Sequence, residues 1–309
     1  MSDFDRRRAR GAVRVAGATV AALCFGAAAT ACSSDKATST PTSVPTFGSS
    51  ARSTSVPTAS APPTTAVDPG TAAGAVKSTN KWLPLTPGYQ SVRQGFVNQG
   101  RRRLPHRRVF TVTDVTKEID GVRTVLVLDQ DFDGGEIAEQ ALDYLAEDER
   151  GNVWYFGSYT ESYEGGQFVN AADAWLDGVN GGEKGILMPA DPRTGTPSYT
   201  EAKVPGEGAA TAQVVKTGQR TCVPFKCYDD VLVIQEGDEN KYFAPGVGGI
   251  KTEPGGGGGA QETEELINLT QLSPQGLAEI SAEALRIDRH AATEAKDVFG
   301  GSSAATRPS

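Results

Sequence analysis

Histidine, cysteine and methionine are scarce: 309 residues hold two His, four Cys and two Met. Two histidines are poor material for a Cys/His zinc site or a Ser-His-Asp triad. His106 falls in a basic stretch and His290 on an expected terminal helix. The chain also lacks a G-x-S-x-G elbow, a G-x-x-x-x-G-K-[ST] loop and an H-E-x-x-H pair. No catalytic activity is therefore expected. Carboxylate pairs such as Asp173 and Asp177 suit glycoside hydrolysis, but acidic residues are too frequent to single any out. Positive charge is equally thin beyond the N-terminus. The first 31 residues carry five Arg and two Asp, so a net charge of −8 leaves the remainder at −11. An acidic body of this kind argues against nucleic acid as a partner.

A strongly apolar run of membrane-spanning length is missing as well. The uncharged stretch Val15–Ala31 has 17 residues, is rich in Ala and stops at Cys32, whereas a spanning helix needs about 20. With Arg6, Arg7, Arg8, Arg10 and Arg14 before it, the stretch reads as a secretory signal peptide. Its end, Ala29-Thr30-Ala31-Cys32, resembles a bacterial lipobox, with Ala29 in place of the usual Leu. The resemblance implies that Cys32 is diacylated and becomes the mature N-terminus at the extracytoplasmic face of the cell membrane. An ordinary cleaved signal or an uncleaved anchor is the alternative. Residues 32–80 are dominated by Ser, Thr, Pro and Ala, which cannot bury enough apolar surface to order themselves, and are expected to form a disordered stalk.

The globular part, residues 81–299, is expected to be mainly β. We read an antiparallel meander curled into a barrel or half-barrel, with a C-terminal helix and a disordered tail at 300–309. Arg107–Thr116 and Val122–Asp129 alternate in polarity and meet at Asp120-Gly121, a tight-turn signal. Further hairpins are expected at Asp133-Gly134-Gly135, Arg150-Gly151-Asn152 and Glu164-Gly165-Gly166. Glu136–Asp148 favours helix by composition but is read as a strand because turns bracket it. Additional strands are expected around Ala212–Thr217, Val231–Gln235, Lys241–Phe243 and Glu265–Leu272, with a flexible loop at Gly255–Gly259. Ser273-Pro274 then opens a helix reaching about Val298, with Leu277, Ile280, Ala284 and Ile287 on one face.

Four segments in this order, Leu83–Gly88, Gly151–Gly157, Gly185–Pro192 and Lys241–Gly248, resemble those of a family of secreted or lipid-anchored bacterial β-rich proteins. That family has no established activity to transfer. The last segment also resembles the closing strand of half-barrel envelope lipoproteins that carry lipids, which is an analogy of fold.

Several groups of residues are candidates for chemistry. Cys222 and Cys227 flank four residues and are expected to form a disulfide after export, with a redox pair or metal site as alternatives. Asp129, Asp131 and Asp133 before Gly134 spell the opening of a calcium loop, although position twelve is Gln140; a plain acidic turn is the competing reading. Arg101, Arg102, Arg103, Arg107 and Arg108 form a basic run for anionic lipid or wall polymer, or a solvated hairpin loop. Tyr144, Trp154, Phe156 and Trp175 are candidates for a ligand face, with core packing as the alternative. The expected function is non-catalytic: binding an apolar or polymeric ligand such as a lipid or cell-wall polymer, or an envelope-structural role. A carboxylate enzyme on cell-wall carbohydrate and a calcium-stabilised adhesion module are the alternatives.

Overall fold

Positive-φ turns set the chain path. Asp120 and Gly121 have φ of +48° and +72°, so both central residues of the turn are left-handed and the flanking strands fold back with matching twist. The strands they join are β2 (Arg102–Ile119) and β3 (Val122–Asp133); the expected turns at Gly134-Gly135 and Gly165-Gly166 also have two left-handed residues, and the one at Arg150-Gly151-Asn152 has Gly151 alone. The computed structural model describes residues 78–99, 102–255 and 262–307. The signal peptide, Cys32, nearly all of the stalk, Arg101 and most of the Gly255–Gly259 loop lie outside these residues.

The remaining strands are β1 (Tyr89–Gln99), β4 (Glu136–Glu147), β5 (Val153–Glu164), β6 (Gln167–Leu176), β7 (Glu183–Met188), β8 (Tyr199–Val204), β9 (Gly208–Cys222), β10 (Cys227–Glu236), β11 (Glu239–Ala244), β12 (Gly248–Pro254) and β13 (Glu262–Gln271). Strands β1 to β5 run as an antiparallel meander, β13 pairs with β1, and β12 back to β7 continue the sheet. β7 then pairs with Val153–Tyr155 of β5, so twelve strands close into a barrel. The rest of that β5 edge, Gly157–Glu164, is taken by β6, which branches off the ring. Gly157 sits at this fork, where a Cβ would lie 2.6 Å from the Trp175 carbonyl oxygen. The barrel is therefore closed rather than half-open, and no sheet edge remains across the ring.

Period-two alternation sorts the strand side chains into two cores. Val112, Val125, Val127, Leu145, Tyr155, Trp175, Ile234, Ile250 and Leu266 belong to the inner core, joined by Trp82, Leu83 and Leu85 from the segment that precedes β1. That segment is pinned by Asn80, whose Oδ1 accepts from the amides of Trp82 and Leu83 at 2.9 and 3.0 Å. The second core lies outside the barrel, beneath helix α1 (Pro274–Glu294), and contains Val115, Leu126, Leu142, Tyr144, Phe156, Tyr159, Ala284, Ile287 and Ala291.

Ser273 caps α1 by accepting from the Gly276 amide at 3.1 Å, and Pro274 occupies the first turn as expected. The helix ends at Glu294 and a short turn of helix, α2 (Lys296–Phe299), follows. The tail expected to be disordered is held against the barrel through residue 307. Thr306 and Thr116 exchange backbone hydrogen bonds of 2.8 Å, and the Arg307 guanidinium meets the Asp114 carboxylate at 2.8 Å. The disulfide between Cys222 and Cys227 closes the β9–β10 hairpin. Among the described residues no helix is long and apolar enough to cross a membrane.

Candidate functional site in the barrel lumen

Closure leaves the inner core incompletely filled. A cavity of about 240 Å³ lies in the lumen, with Tyr89, Phe110, Leu145, Tyr155, Trp175 and Met188 in its apolar wall. Tyr155 and Trp175 pack edge to face there with ring centroids 5.2 Å apart. The same lining carries Asp129, Asp131, Glu139, Asp143, Asp173 and Glu262, and the Tyr155 hydroxyl donates to Asp143. An apolar body bearing a positive or hydrogen-bond-donating group is the complement of such a lining.

Strand register explains the acidic wall. On β2 the inward residues are His106, Arg108 and Phe110, opposite Asp133, Asp131 and Asp129 of β3. Asp131 in turn faces Glu139 on β4. The Arg108 guanidinium donates from Nε to both Asp129 oxygens at 2.9 Å. It lies 3.7 Å from Asp131 and 3.6 Å from Glu264 as well. Arg93 on β1 adds a contact of 3.1 Å to Glu264.

One row crosses three strands over a glycine. Gly95 on β1 is opposite His106 on one side and Glu264 of β13 on the other. It carries no side chain, and an added Cβ would sit 1.6 Å from the Thr263 carbonyl oxygen. His106 and Glu264 can therefore meet above it. His106 Nε2 lies 3.4 Å from Glu264 and 3.3 Å from Glu262, while Nδ1 is held by Asp133 at 2.7 Å.

Burial works on these groups in different directions. Around Glu139, burial and then the charges of Asp131 and Asp173 push the carboxyl up to about 8. Burial likewise raises Glu262 to about 8, aided by its neighbour Glu264. Burial also penalises the Glu264 carboxylate, but Arg93 and the other cations outweigh it and hold Glu264 well below the usual range. Burial disfavours a charged His106, yet Asp133, Glu262 and Glu264 together keep the imidazole protonated far above its ordinary range. Asp131 rises well above its ordinary value because burial dominates the attraction of Arg108.

The structure redistributes the residues singled out in the sequence. Asp129, Asp131 and Asp133 end a continuous strand, not a loop, and their partners are Arg108 and His106. Alternate residues on a strand stand roughly 7 Å apart, so the three carboxylates line a wall instead of wrapping one ion. The basic run also divides, because neighbours on β2 face opposite ways: Arg108 enters the lumen while Arg103 and Arg107 stack on Phe96 and Phe132. Arg102 begins β2 and is exposed, and Arg101 lies outside the described residues.

Of the four aromatic candidates only Trp175 borders the cavity. Tyr144 and Phe156 are buried in the outer core and Trp154 packs against it, with the Trp154 indole N–H donating to Asp148 at 2.8 Å. Tyr155, passed over between its two neighbours, is the residue that faces inward. Glu139, Asp143, Glu262 and Glu264 were also passed over. Their signal was the alternation in Glu136–Glu147 and Glu262–Gln271, which puts every second residue on the inner face.

No family model matches the chain, and no curated protein matches it. Among solved structures, a crystal structure from Bacteroides fragilis, provisionally described as an exported protein with a YmcC-like fold, aligns at 14% identity. The alignment covers 62% of this chain and 99% of that one, with a TM-score of 0.35. A likeness of that size carries no argument about this chain.

Proposed function

We propose that this chain is an extracytoplasmic, lipid-anchored binding protein that holds a small amphipathic ligand in its barrel lumen without catalysing a reaction on it. The signal-peptide and lipobox features supply the location and the anchor. The observation that carries the binding function is the partly empty lumen, whose lining combines aromatic and aliphatic side chains with carboxyl groups. The lining is fixed by strand register, so the site is preorganised and little ordering is required on binding. A ligand with an apolar body and a cationic or donor group suits this lining. A cavity of about 240 Å³ suits a compact molecule.

Glu139 favours one second reading. Burial raises its carboxyl to about 8, which suits the general acid of a glycoside hydrolase.

Native mass spectrometry of the full chain, purified from its own membrane fraction and analysed with parallel organic extraction, tests the proposal. A stoichiometric small-molecule adduct that is lost on denaturation is expected. A clean apo mass together with failure of amphipathic amines to raise the melting temperature would overturn it. Release of reducing sugar from muropeptides, abolished by Glu139→Gln, would favour the enzyme reading.

A further inference from the structure

The acidic wall holds more carboxyl groups than cations. Among the described residues, Asp129, Asp131, Asp133, Glu139, Glu262 and Glu264 lie around Arg93, Arg108 and His106, and burial holds Asp131, Glu139 and Glu262 toward their protonated forms. Carboxylates taken out of water need a counter-charge or a proton. Charge alone does not define a site, but His106 adds a direction. Its side chain is fully buried, and Nε2 has no aligned hydrogen-bond partner although two carboxylate oxygens lie 3.3 and 3.4 Å away. The nitrogen thus faces Glu262, Glu264 and, at 3.7 Å, Asp131 without an aligned bond to any of them. Both Glu264 oxygens also lack an aligned hydrogen-bond partner.

We propose that His106 Nε2, Glu262 and Glu264 form a binding site for a first-row divalent cation of the zinc class, with Asp133 as the group that orients the histidine. Three ligand atoms, one from each residue, lie within 4.8 Å of one another. Donors at about 2.0 to 2.1 Å from a tetrahedral cation are separated by roughly 3.4 Å, close to the two separations found at Nε2. Asp133 accepts from Nδ1 at 2.7 Å, which fixes the tautomer that leaves Nε2 as the donor atom, an arrangement common behind metal-bound histidines. One nitrogen and two carboxylate oxygens suit zinc, manganese, iron or cobalt better than copper(I), which prefers sulfur. On binding, the cation takes the place of the Nε2 proton and of the proton on Glu262, both of which leave to solvent, so no further reactant is needed.

Access comes from the same geometry. Glu262 borders the lumen cavity, whereas His106 and Glu264 border a second depression between Phe96, Phe132 and Pro254. A cation held here lies in the wall between the two spaces. The inference stands whether or not the lumen takes an organic ligand.

The test uses the full chain, stripped of metal and titrated with Zn²⁺ by calorimetry, followed by Co²⁺ absorption. Expected are one equivalent of Zn²⁺, a rise in melting temperature, and a Co²⁺ spectrum of tetrahedral intensity that Zn²⁺ abolishes. His106→Gln and Glu262→Gln, each checked by circular dichroism, should weaken Zn²⁺ binding at least tenfold. Should either variant fail to fold, X-ray absorption of the Zn²⁺-loaded wild type decides, since one nitrogen among oxygen donors is required. Absence of binding, unchanged affinity in both folded variants, or a donor set without imidazole would each overturn the assignment.

Discussion

Lys117 on β2 and Asp288 on α1 form a buried ion pair, with Nζ 2.8 Å from Oδ1 and both side chains almost wholly inaccessible. The carboxylate has two further donors: the Tyr144 hydroxyl at 3.1 Å and the Ala305 amide at 2.9 Å. Asp288 thus ties the helix, the barrel and the tail to one point. Removing one partner of a buried pair strands the other charge, at a cost of about 3–5 kcal/mol, whereas replacing both by apolar groups is often neutral. Asp288→Asn is expected to lower unfolding stability by that order in denaturant titration. The pair Lys117→Met with Asp288→Leu should recover most of the loss. Equal losses in the single and double variants would show that the helix is held by packing alone.

The Cys222–Cys227 disulfide encloses only four intervening residues. In the chain-entropy account, a loop that short still restricts the unfolded chain by about 2 kcal/mol. Cys222→Ser with Cys227→Ser should therefore shift the melting temperature down by a few degrees and leave the fold intact. The hairpin is also joined by its β9–β10 ladder, so no loss of native spectrum is expected. A variant that fails to fold on expression would assign the bond a larger role.

The hairpins were legible because each depends on local chemistry: an Asp-Gly or Gly-Gly pair, or the single Gly151, between alternating runs. Closure was not, because β1 pairs with β13 from the far end of the chain, and no local pattern announces such a partner. The aromatics show a second limit. In Trp154-Tyr155-Phe156 alternation says that neighbours face opposite ways, but not which side is inside. That depends on a helix packed over one face, and on register shifts at Tyr144/Leu145 and Val153/Trp154. The basic run and the acidic run looked like two separate patches for the same reason. In space, β2 and β3 lie side by side, and Arg108 neutralises Asp129.

Buried carboxyls should make this protein more stable in mild acid than at alkaline pH. Glu139 is pushed up to about 8 and Glu239 to about 7, chiefly by burial, from an ordinary 4.5. The fold favours their neutral forms, so that contribution is complete below about 4.5 and is lost as pH rises through 7 and 8. Asp148 has the opposite sign. Slight burial raises it, but hydrogen bonds from Asn152, Trp154 and Arg150 bring it down to about 2, so its contribution disappears only as pH falls toward that value. Calorimetric melting at a series of pH values should show a midpoint higher at pH 5 than at pH 8. Glu139→Gln should flatten the decline. A midpoint that rises steadily from pH 5 to pH 8 would contradict the assignment of neutral carboxyls.

Filling the lumen should separate binding from folding. Ala141 on β4 borders the cavity, between Glu139 and Asp143 on the inner face. An apolar cavity of about 150 Å³ is known to admit a benzene ring, and the lumen here offers about 240 Å³. Ala141→Phe would therefore project its ring into existing space instead of forcing the strands apart, and the usual overpacking cost of about 1–3 kcal/mol should be small or absent. The variant is expected to keep the wild-type melting temperature within a few degrees and to lose any adduct seen by native mass spectrometry. Trp175→Phe serves as the companion: it keeps the apolar wall and should retain binding at reduced affinity. Retention of the full adduct in folded Ala141→Phe would place the ligand somewhere other than the lumen.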